Sequence, residues 1–169
     1  IEDIMLMNYE YRYMIDTPLL ESAAGSSAYK LKRFFDIGIS LLMLFIFFLF
    51  ILIIAVCIKL EDGGPVFYRQ KRVTINGREF DILKFRSMVT DAEKRGCKPA
   101  AVKDSRITRT GRIIRAVRLD EIPQLLNILM GDMSIVGPRP ERVEHVKKYT
   151  EKLPEFAYRL RVRGGLTGY

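Results

Sequence analysis

Tryptophan is absent, and the 169 residues include only 2 cysteines and 1 histidine. With Cys57 and Cys97 as its only thiols, the chain cannot rest on a disulfide framework or hold a four-thiolate zinc site. With His145 alone it cannot carry a multi-histidine metal centre of the HExxH kind. Acidic residues are in short supply, 20 against 28 Lys and Arg, for a formal charge of +8. No GxxxxGK[ST] or GxGxxG occurs, so phosphate would not be cradled by a P-loop or a Rossmann turn. There is no GxSxG nucleophile elbow either. No internal repeat or low-complexity tract is present. Intrinsic disorder is excluded, because 49% hydrophobic residues with 10 Phe can bury enough apolar surface to fold. The length suits one ordinary domain plus an extra segment.

The extra segment is plain in the sequence. Ile37 to Ile58 holds no charge over 22 positions, and 17 of these are Ile, Leu, Phe or Val. Membrane insertion of such a run is favoured by ~8 kcal/mol. As a helix it would be ~33 Å long, enough for the hydrocarbon core of a bilayer. A buried core helix is the bland alternative, but the run is apolar on all sides and too long for a small domain to cover. A signal peptide is excluded by its length, its position and the lack of a small-residue cleavage site. Lys30, Lys32 and Arg33 precede the run, and Lys59, Arg69, Lys71 and Arg72 follow it. The positive-inside rule therefore wants both ends in the cytoplasm. A helix that dips in and returns would satisfy this, with the basic residues on anionic headgroups. A break in the helix is then required, yet no proline lies between Pro18 and Pro65.

Residues 1–28 read as a linker or the tail of an upstream domain, 29–60 as the membrane-associated helix, and 61–169 as a folded domain. The first residue is Ile1 and the last four are Leu-Thr-Gly-Tyr, which reads as a piece of a longer polypeptide. Val66–Val73 and Arg78–Phe85 are rich in β-formers and flank Asn76-Gly77, a hairpin signal. Asp91–Lys103 is a polar loop or short helix. Helices are predicted over Thr110–Arg118, Glu121–Met130 and Glu141–Thr150, with Pro154 opening a fourth. The second shows Ile122, Leu125, Leu126 and Leu129 at i, i+3, i+4, i+7, Asp120 at its N-cap and Gly131 past its end. Ser134–Val136 reads as a short strand, and Gly137-Pro138-Arg139-Pro140 as a rigid loop.

Three features carry chemistry. Arg106, Arg109, Arg112, Arg115 and Arg118 recur every third residue. On a helix they wrap round it, so some would face a site and others solvent or headgroups. Their forks match phosphate oxygens, although a solvated charged helix has the same spacing. Asp120 and Glu121 point ~100° apart on a helix, which suits two different roles better than one shared proton. An ionised Asp can attack phosphorus, and two carboxylates with phosphate oxygens suit Mg²⁺. The same pair is also an ordinary helix start. Arg139 stands between two prolines that restrict its reach. Lys84 and Arg86 share one strand face, with Phe85 on the other. His145, Cys57 and Cys97 have no partners that suggest reactivity.

Seven stretches occur in a specific order. They are Lys32-Arg33-Phe34-Phe35-Asp36; Gly64-Pro65-Val66-Phe67-Tyr68-Arg69-Gln70-Lys71-Arg72-Val73; Lys84-Phe85-Arg86-Ser87-Met88; Asp104 to Arg112; Leu119-Asp120-Glu121-Ile122-Pro123-Gln124-Leu125-Leu126-Asn127; Gly131 to Arg142; and Gly165-Leu166-Thr167-Gly168. Over about Tyr29 to Tyr169 the chain closely resembles the bacterial sugar transferases, the monotopic polyprenol-phosphate phosphoglycosyl transferases.

The resemblance implies a small α+β catalytic domain, of the broad α/β class, on a re-entrant or transmembrane N-terminal helix, with amphipathic helices at the bilayer interface. It implies transfer of a sugar 1-phosphate from a UDP-sugar to undecaprenyl phosphate, with UMP released, as the first membrane step of capsule, exopolysaccharide, O-antigen or glycan assembly. Asp120 would be the nucleophile of a phosphosugar–aspartate intermediate, and Glu121 with Asp120 would hold Mg²⁺. Arg115 and Arg139, with Lys84 and Arg86, would bind substrate phosphate. Lys32, Arg33, Asp36, Phe48 and Leu49 would belong to the membrane anchor. The site would face the cytoplasm at the bacterial inner membrane. The partners are the donor, the lipid acceptor and the bilayer, with no nucleic acid; a homo-oligomer is left open.

The chain departs from the family in two ways. Members usually carry Ser-Pro at the bend of the helix, where Phe48 and Leu49 stand here, and they continue past the Gly-Leu-Thr-Gly-aromatic stretch. UDP-glucose or UDP-galactose is the donor expected from the upstream extension. The alternative function is a non-enzymatic, membrane-anchored regulatory module of the same fold. Nucleic-acid binding would fit the charge, but the apolar anchor serves it poorly.

Overall fold

The computed structural model describes residues 27–90 and 104–168. Residues 1–26 of the predicted 1–28 linker, the Asp91–Lys103 segment with Cys97, and Tyr169 lie outside the described residues, while Ser27 and Ala28 are helical rather than linker. The apolar run forms one helix, α1, over Ser27–Asp62, 36 residues long. It continues through Phe48 and Leu49 without interruption, so the break that a dip-and-return helix requires is not found in it. Its outer face is lipid-like: Phe45 is 82% exposed, Phe48 60% and Leu49 64%. Its inner face is a single stripe of Asp36, Ser40, Leu44, Phe47, Ile51, Ile54 and Ile58, all buried or half-buried. The steps of three and four are the spacing of one helix face. The apolar members of this stripe join the protein core along the length of α1.

Strands β1 (Phe67–Val73) and β2 (Glu79–Phe85) form the expected hairpin, with Val73 opposite Glu79 and Tyr68 opposite Lys84. At its tip Asn76 and Gly77 both take positive φ, 58° and 70°, the conformation that Asn-Gly tolerates best. Helix α2 covers Arg109–Ala116, with Thr108 as its cap; the Thr108 hydroxyl accepts from the Gly111 N–H. Gly111 lies on the backbone of Ser87, where a Cβ would collide. Helix α3 covers Gln124–Met130 and ends at Gly131, φ 90°, the left-handed stop expected there. Then follow β3 (Met133–Val136), α4 (Val143–Lys152), a 3₁₀ stretch (Pro154–Arg161) and β4 (Gly164–Thr167).

Strand β4 pairs in parallel with β3, and the sequence reading did not include it. Its Gly-Gly start resembles a loop, but the glycines are there for contact. A Cβ on Gly165 would strike the Gly137 backbone, and one on Gly137 would strike the Arg163 carbonyl. Mixed helix and two small sheets make this an α+β domain carrying one long apolar helix. The core joins Ile54 and Ile58 of α1 to Phe80, Ile82, Phe85, Ile114, Ile122, Leu125, Ile128 and Met133. Each such side chain stabilises the fold by roughly 1.5–3 kcal/mol over exposure.

The second predicted helix needs two corrections. Asp120 is not its N-cap: Leu119–Glu121 form a 3₁₀ turn and the α-helix starts at Gln124. The core face is also rotated, since Ile128 is fully buried while Leu126 is 39% exposed. Asn127 takes a place on the inner face that the apolar spacing had given to leucines.

Candidate active site

The Leu119–Glu121 turn lies between α2 and α3, and α1 holds both of them. At one end the Glu61 carboxylate accepts from the N–H groups of Arg109, 2.6 Å, and Thr110, 3.1 Å. A carboxylate there suits the positive N-terminus of α2. At the other end the Arg33 guanidinium donates to the Ile128 carbonyl and, at 2.9 Å, to the Leu129 carbonyl. A cation there satisfies the carbonyls that end α3. Nearby, buried Asp36 accepts from the Ser134 hydroxyl, 2.8 Å, and the Ile135 N–H, 3.1 Å. Lys32 bonds Asp36 and Ser134. Lys32, Arg33 and Asp36, expected at the anchor, thus fasten α1 to the domain. Phe48 and Leu49 stay on its outer face.

Between α2 and the turn, Arg118 sits at φ 58°. A left-handed conformation in a non-glycine residue costs roughly 1–2 kcal/mol. It folds the chain sharply enough for Asp120 and Glu121 to face the hairpin. Glu121 Oε1 accepts from Lys84 Nζ at 2.8 Å and from Arg139 at 2.9 Å. Lys84 comes from β2 and Arg139 from the loop after β3, so three parts of the chain meet at one carboxylate oxygen.

The electrostatics separate the two acids. Burial raises the Asp120 carboxyl above its ordinary value; Lys84 and Arg115 oppose this and the Glu121 charge adds to it. Burial also disfavours the charged form of Glu121, but the hydrogen bonds and charges of Lys84 and Arg139 outweigh it and leave the group lowered. Two adjacent acids in one turn are therefore shifted in opposite directions, Asp120 up and Glu121 down.

The Arg139 loop is fixed to an unusual degree. Four successive carbonyls are occupied: Pro138 by the Gly165 N–H at 2.9 Å, Arg139 by the Arg159 side chain at 3.3 Å, Pro140 by Arg72 at 3.1 Å, and Glu141 by the Val73 N–H at 3.0 Å. The two prolines add fixed φ angles.

Of the arginine series, Arg115 acts on the Asp120 charge. Arg106 pairs with Asp104 at 2.6 Å, and its hydrogen bonds hold that carboxyl down to about 2. Arg109, Arg112 and Arg118 are exposed. Arg86 stands apart from the cluster: it is 6% exposed and paired with Asp62 of α1. Its Nε and one terminal nitrogen lack a hydrogen-bond partner among the described residues. The sequence reading did not single out Asn127, Gln70 or Asp62, and it placed Arg72 among the basic residues on headgroups, whereas its side chain is 15% exposed and bonds Gln70 and the Pro140 carbonyl. Alternation of Tyr68, Gln70 and Arg72 along one face of β1 was the available signal.

The family model for the bacterial sugar transferases matches residues 27–169. The chain belongs to the bacterial sugar transferase family. One relative in it is the UDP-glucose:undecaprenyl-phosphate glucose-1-phosphate transferase of Caulobacter vibrioides, 44% identical over 137 residues, 81% of this chain and 51% of the relative. Another is the putative undecaprenyl-phosphate N-acetylgalactosaminyl 1-phosphate transferase of Bacillus subtilis, 45% identical over 130 residues, 77% of this chain and 73% of the relative. The UDP-N-acetylgalactosamine-undecaprenyl-phosphate N-acetylgalactosaminephosphotransferase of Aeromonas hydrophila is 43% identical over 139 residues, 82% of this chain but 33% of the relative. The chain thus spans a third to about half of the Aeromonas and Caulobacter relatives. Family members at similar identity are named for different sugars, so identity does not select the donor.

Residues that could hold a metal are few. Among the described residues no cluster of three or more His, Cys, Asp or Glu exists. With Glu121 Oε1 also engaged by Lys84 and Arg139, Asp120 and Glu121 are hard carboxylates on successive residues of one turn. That fits Mg²⁺, which binds one or two carboxylates and takes its other ligands from substrate phosphate and water.

Proposed function

We propose that this chain is the catalytic part of a phosphoglycosyl transferase, which moves a sugar 1-phosphate from a UDP-sugar to undecaprenyl phosphate and releases UMP. The observation that carries the reading is the convergence of Lys84 and Arg139 on Glu121 beside a half-buried Asp120, in a chain whose relatives are named for that reaction.

In the first displacement an Asp120 carboxylate oxygen attacks the sugar-bearing phosphorus. The bond from that phosphorus to the bridging oxygen breaks, and UMP leaves with the electron pair. In the second, an undecaprenyl phosphate oxygen attacks the same phosphorus and Asp120 leaves as carboxylate. Dividing the transfer lets a soluble donor depart before a lipid acceptor arrives. Arg115 and Arg139 neutralise phosphate charge, and a fixed Arg139 does so without reorganising. Mg²⁺ held by Asp120 and Glu121 would supply further charge neutralisation at the diphosphate. The Glu121–Lys84 pair keeps that carboxylate ionised for the role.

Incubating the full-length protein with undecaprenyl phosphate, Mg²⁺ and a panel of UDP-sugars is expected to give UMP with at least one donor. No UMP with any donor would favour the membrane-anchored regulatory module. The product would start assembly of a surface polysaccharide or glycan.

We also read α1 as monotopic, with both ends on the cytoplasmic face of the inner membrane. One domain grips Arg33 at its start, Ile54 and Ile58 towards its end, and Glu61 and Asp62 at its close. A domain in contact with both ends cannot sit on one side of a bilayer that separates them. Its exposed Ile113 and Val117, beside Arg112, give α2 the character of an interfacial helix. In a protein freed of Cys57 and Cys97, single cysteines at Lys30 and Arg69 are expected to label from the same side. Labelling from opposite sides would rule the monotopic arrangement out.

A further inference from the structure

On the face of β1 that carries Tyr68, Gln70 and Arg72, a chain of hydrogen bonds runs along the strand. Gln70 Nε2 donates to the Tyr68 hydroxyl at 3.1 Å, and Arg72 donates to Gln70 Oε1 at 2.7 Å. The other fork of Arg72 crosses to the next part of the fold and donates to the Pro140 carbonyl at 3.1 Å. Tyr68 lies opposite Lys84 in the hairpin register. The chain therefore begins beside one of the two cations on Glu121 and ends on the loop that presents the other.

We propose that Arg72 is a positioning residue, which fixes the Pro138–Pro140 loop through the Pro140 carbonyl so that Arg139 meets Glu121. This inference rests on the transferase reading for its meaning in catalysis. Pro140 has no N–H, so its carbonyl is the residue's single backbone hook. A planar fork holds that carbonyl and the Gln70 amide oxygen in fixed relative directions, which the single flexible ammonium of a lysine does not impose. The placement is costly in itself. The Arg72 side chain is 15% exposed, its Nε has no hydrogen-bond partner among the described residues, and Glu141 is 4.0 Å away. Burial and the neighbouring Arg142 charge lower its pKa, with Glu141 opposing and Arg139 adding to the effect. An arginine kept in such surroundings has geometric work that a neutral residue would not do.

The test is a double-mutant cycle on the full-length protein. Arg72→Gln is expected to lower kcat for UMP release by about 10- to 100-fold, the scale of a small misplacement at a site, with KM for the donor changed less. Arg139→Ala is expected to do the same. Arg72→Gln added to Arg139→Ala should cost no more than about twofold further, because both changes remove one unit. Arg72→Lys should recover only part of the loss. Multiplying effects in the double variant, or wild-type kcat in Arg72→Gln, would overturn the proposal.

A second measurement needs no activity. Hydrogen exchange in the segment 136–142 should accelerate in Arg72→Gln, or in Arg72→Lys should the first variant not fold. Exchange in the hairpin segment 79–85 should stay unchanged. Unchanged exchange in 136–142 refutes the positioning role by itself. Wild-type protein that releases no UMP refutes the transferase reading, and the exchange result still decides what Arg72 does to the loop.

Discussion

Asp120→Asn is expected to abolish turnover, lowering UMP release by about 10³-fold or more, as loss of a covalent nucleophile does. The substitution keeps the shape of the side chain and removes its charge. A carboxamide oxygen cannot form the aspartyl phosphosugar. Wild-type protein incubated with its donor alone should gain the mass of one sugar phosphate, and the variant should gain none. The fold itself should not suffer. Asp120 makes no ion pair among the described residues, and burial raises its pKa. A carboxyl raised in the folded state contributes stability when protonated, and that contribution is lost as pH rises through the folded value. At neutral pH the charged form therefore works against folding, so the Asn variant should unfold at the same temperature as wild type or higher. A variant that is stable and nearly as active as wild type would overturn the assigned nucleophile.

Asn127→Leu is expected to have the largest effect on stability. Asn127 is fully buried. Its Oδ1 accepts from the Leu83 N–H and its Nδ2 donates to the Asp81 carbonyl, both at 2.9 Å. The amide thus acts as one more strand residue along the inner edge of β2 and pins α3 to it. Leucine has the same branched outline, is bulkier, and bonds neither group. Each orphaned backbone group costs roughly 1–3 kcal/mol, about 2–6 kcal/mol together. That is a large part of the ~5–15 kcal/mol that stabilises an ordinary domain. Thermal unfolding in detergent or nanodiscs would show it as a lowered midpoint. An unchanged midpoint would show that the two bonds contribute nothing. Activity should fall with folded protein, since α3 follows directly on the Asp120–Glu121 turn.

Much of this was legible in the residues. The apolar run, the Asn-Gly hairpin and the Gly131 stop rest on local rules that distant contacts did not override. The ordered motifs led to the family. What stayed hidden depended on partners far along the chain. Arg86 follows Lys84 in strand alternation, yet it pairs with Asp62, and no local pattern links those two positions. Asn127 gave no signal of its own, because the backbone groups it satisfies belong to a strand 40-odd residues earlier. Gly164 and Gly165 gave no strand signal because their reason lies in close approach to Pro140 and Gly137. Asp120 looked like a cap; the 3₁₀ turn that displaced it depends on the left-handed Arg118, which nothing in that residue's chemistry announces.

The long apolar arm and the Asp120–Glu121 turn share their fastenings. Glu61 secures the start of one flanking helix and Arg33 the finish of the other, so the arm works as a brace across the turn between them. Cutting it away to make a water-soluble enzyme would therefore remove scaffolding as well as mooring. On the proposed membrane reading, any stretching or tilting that lipid imposed on the brace would reach the two helices that flank the proposed nucleophile Asp120.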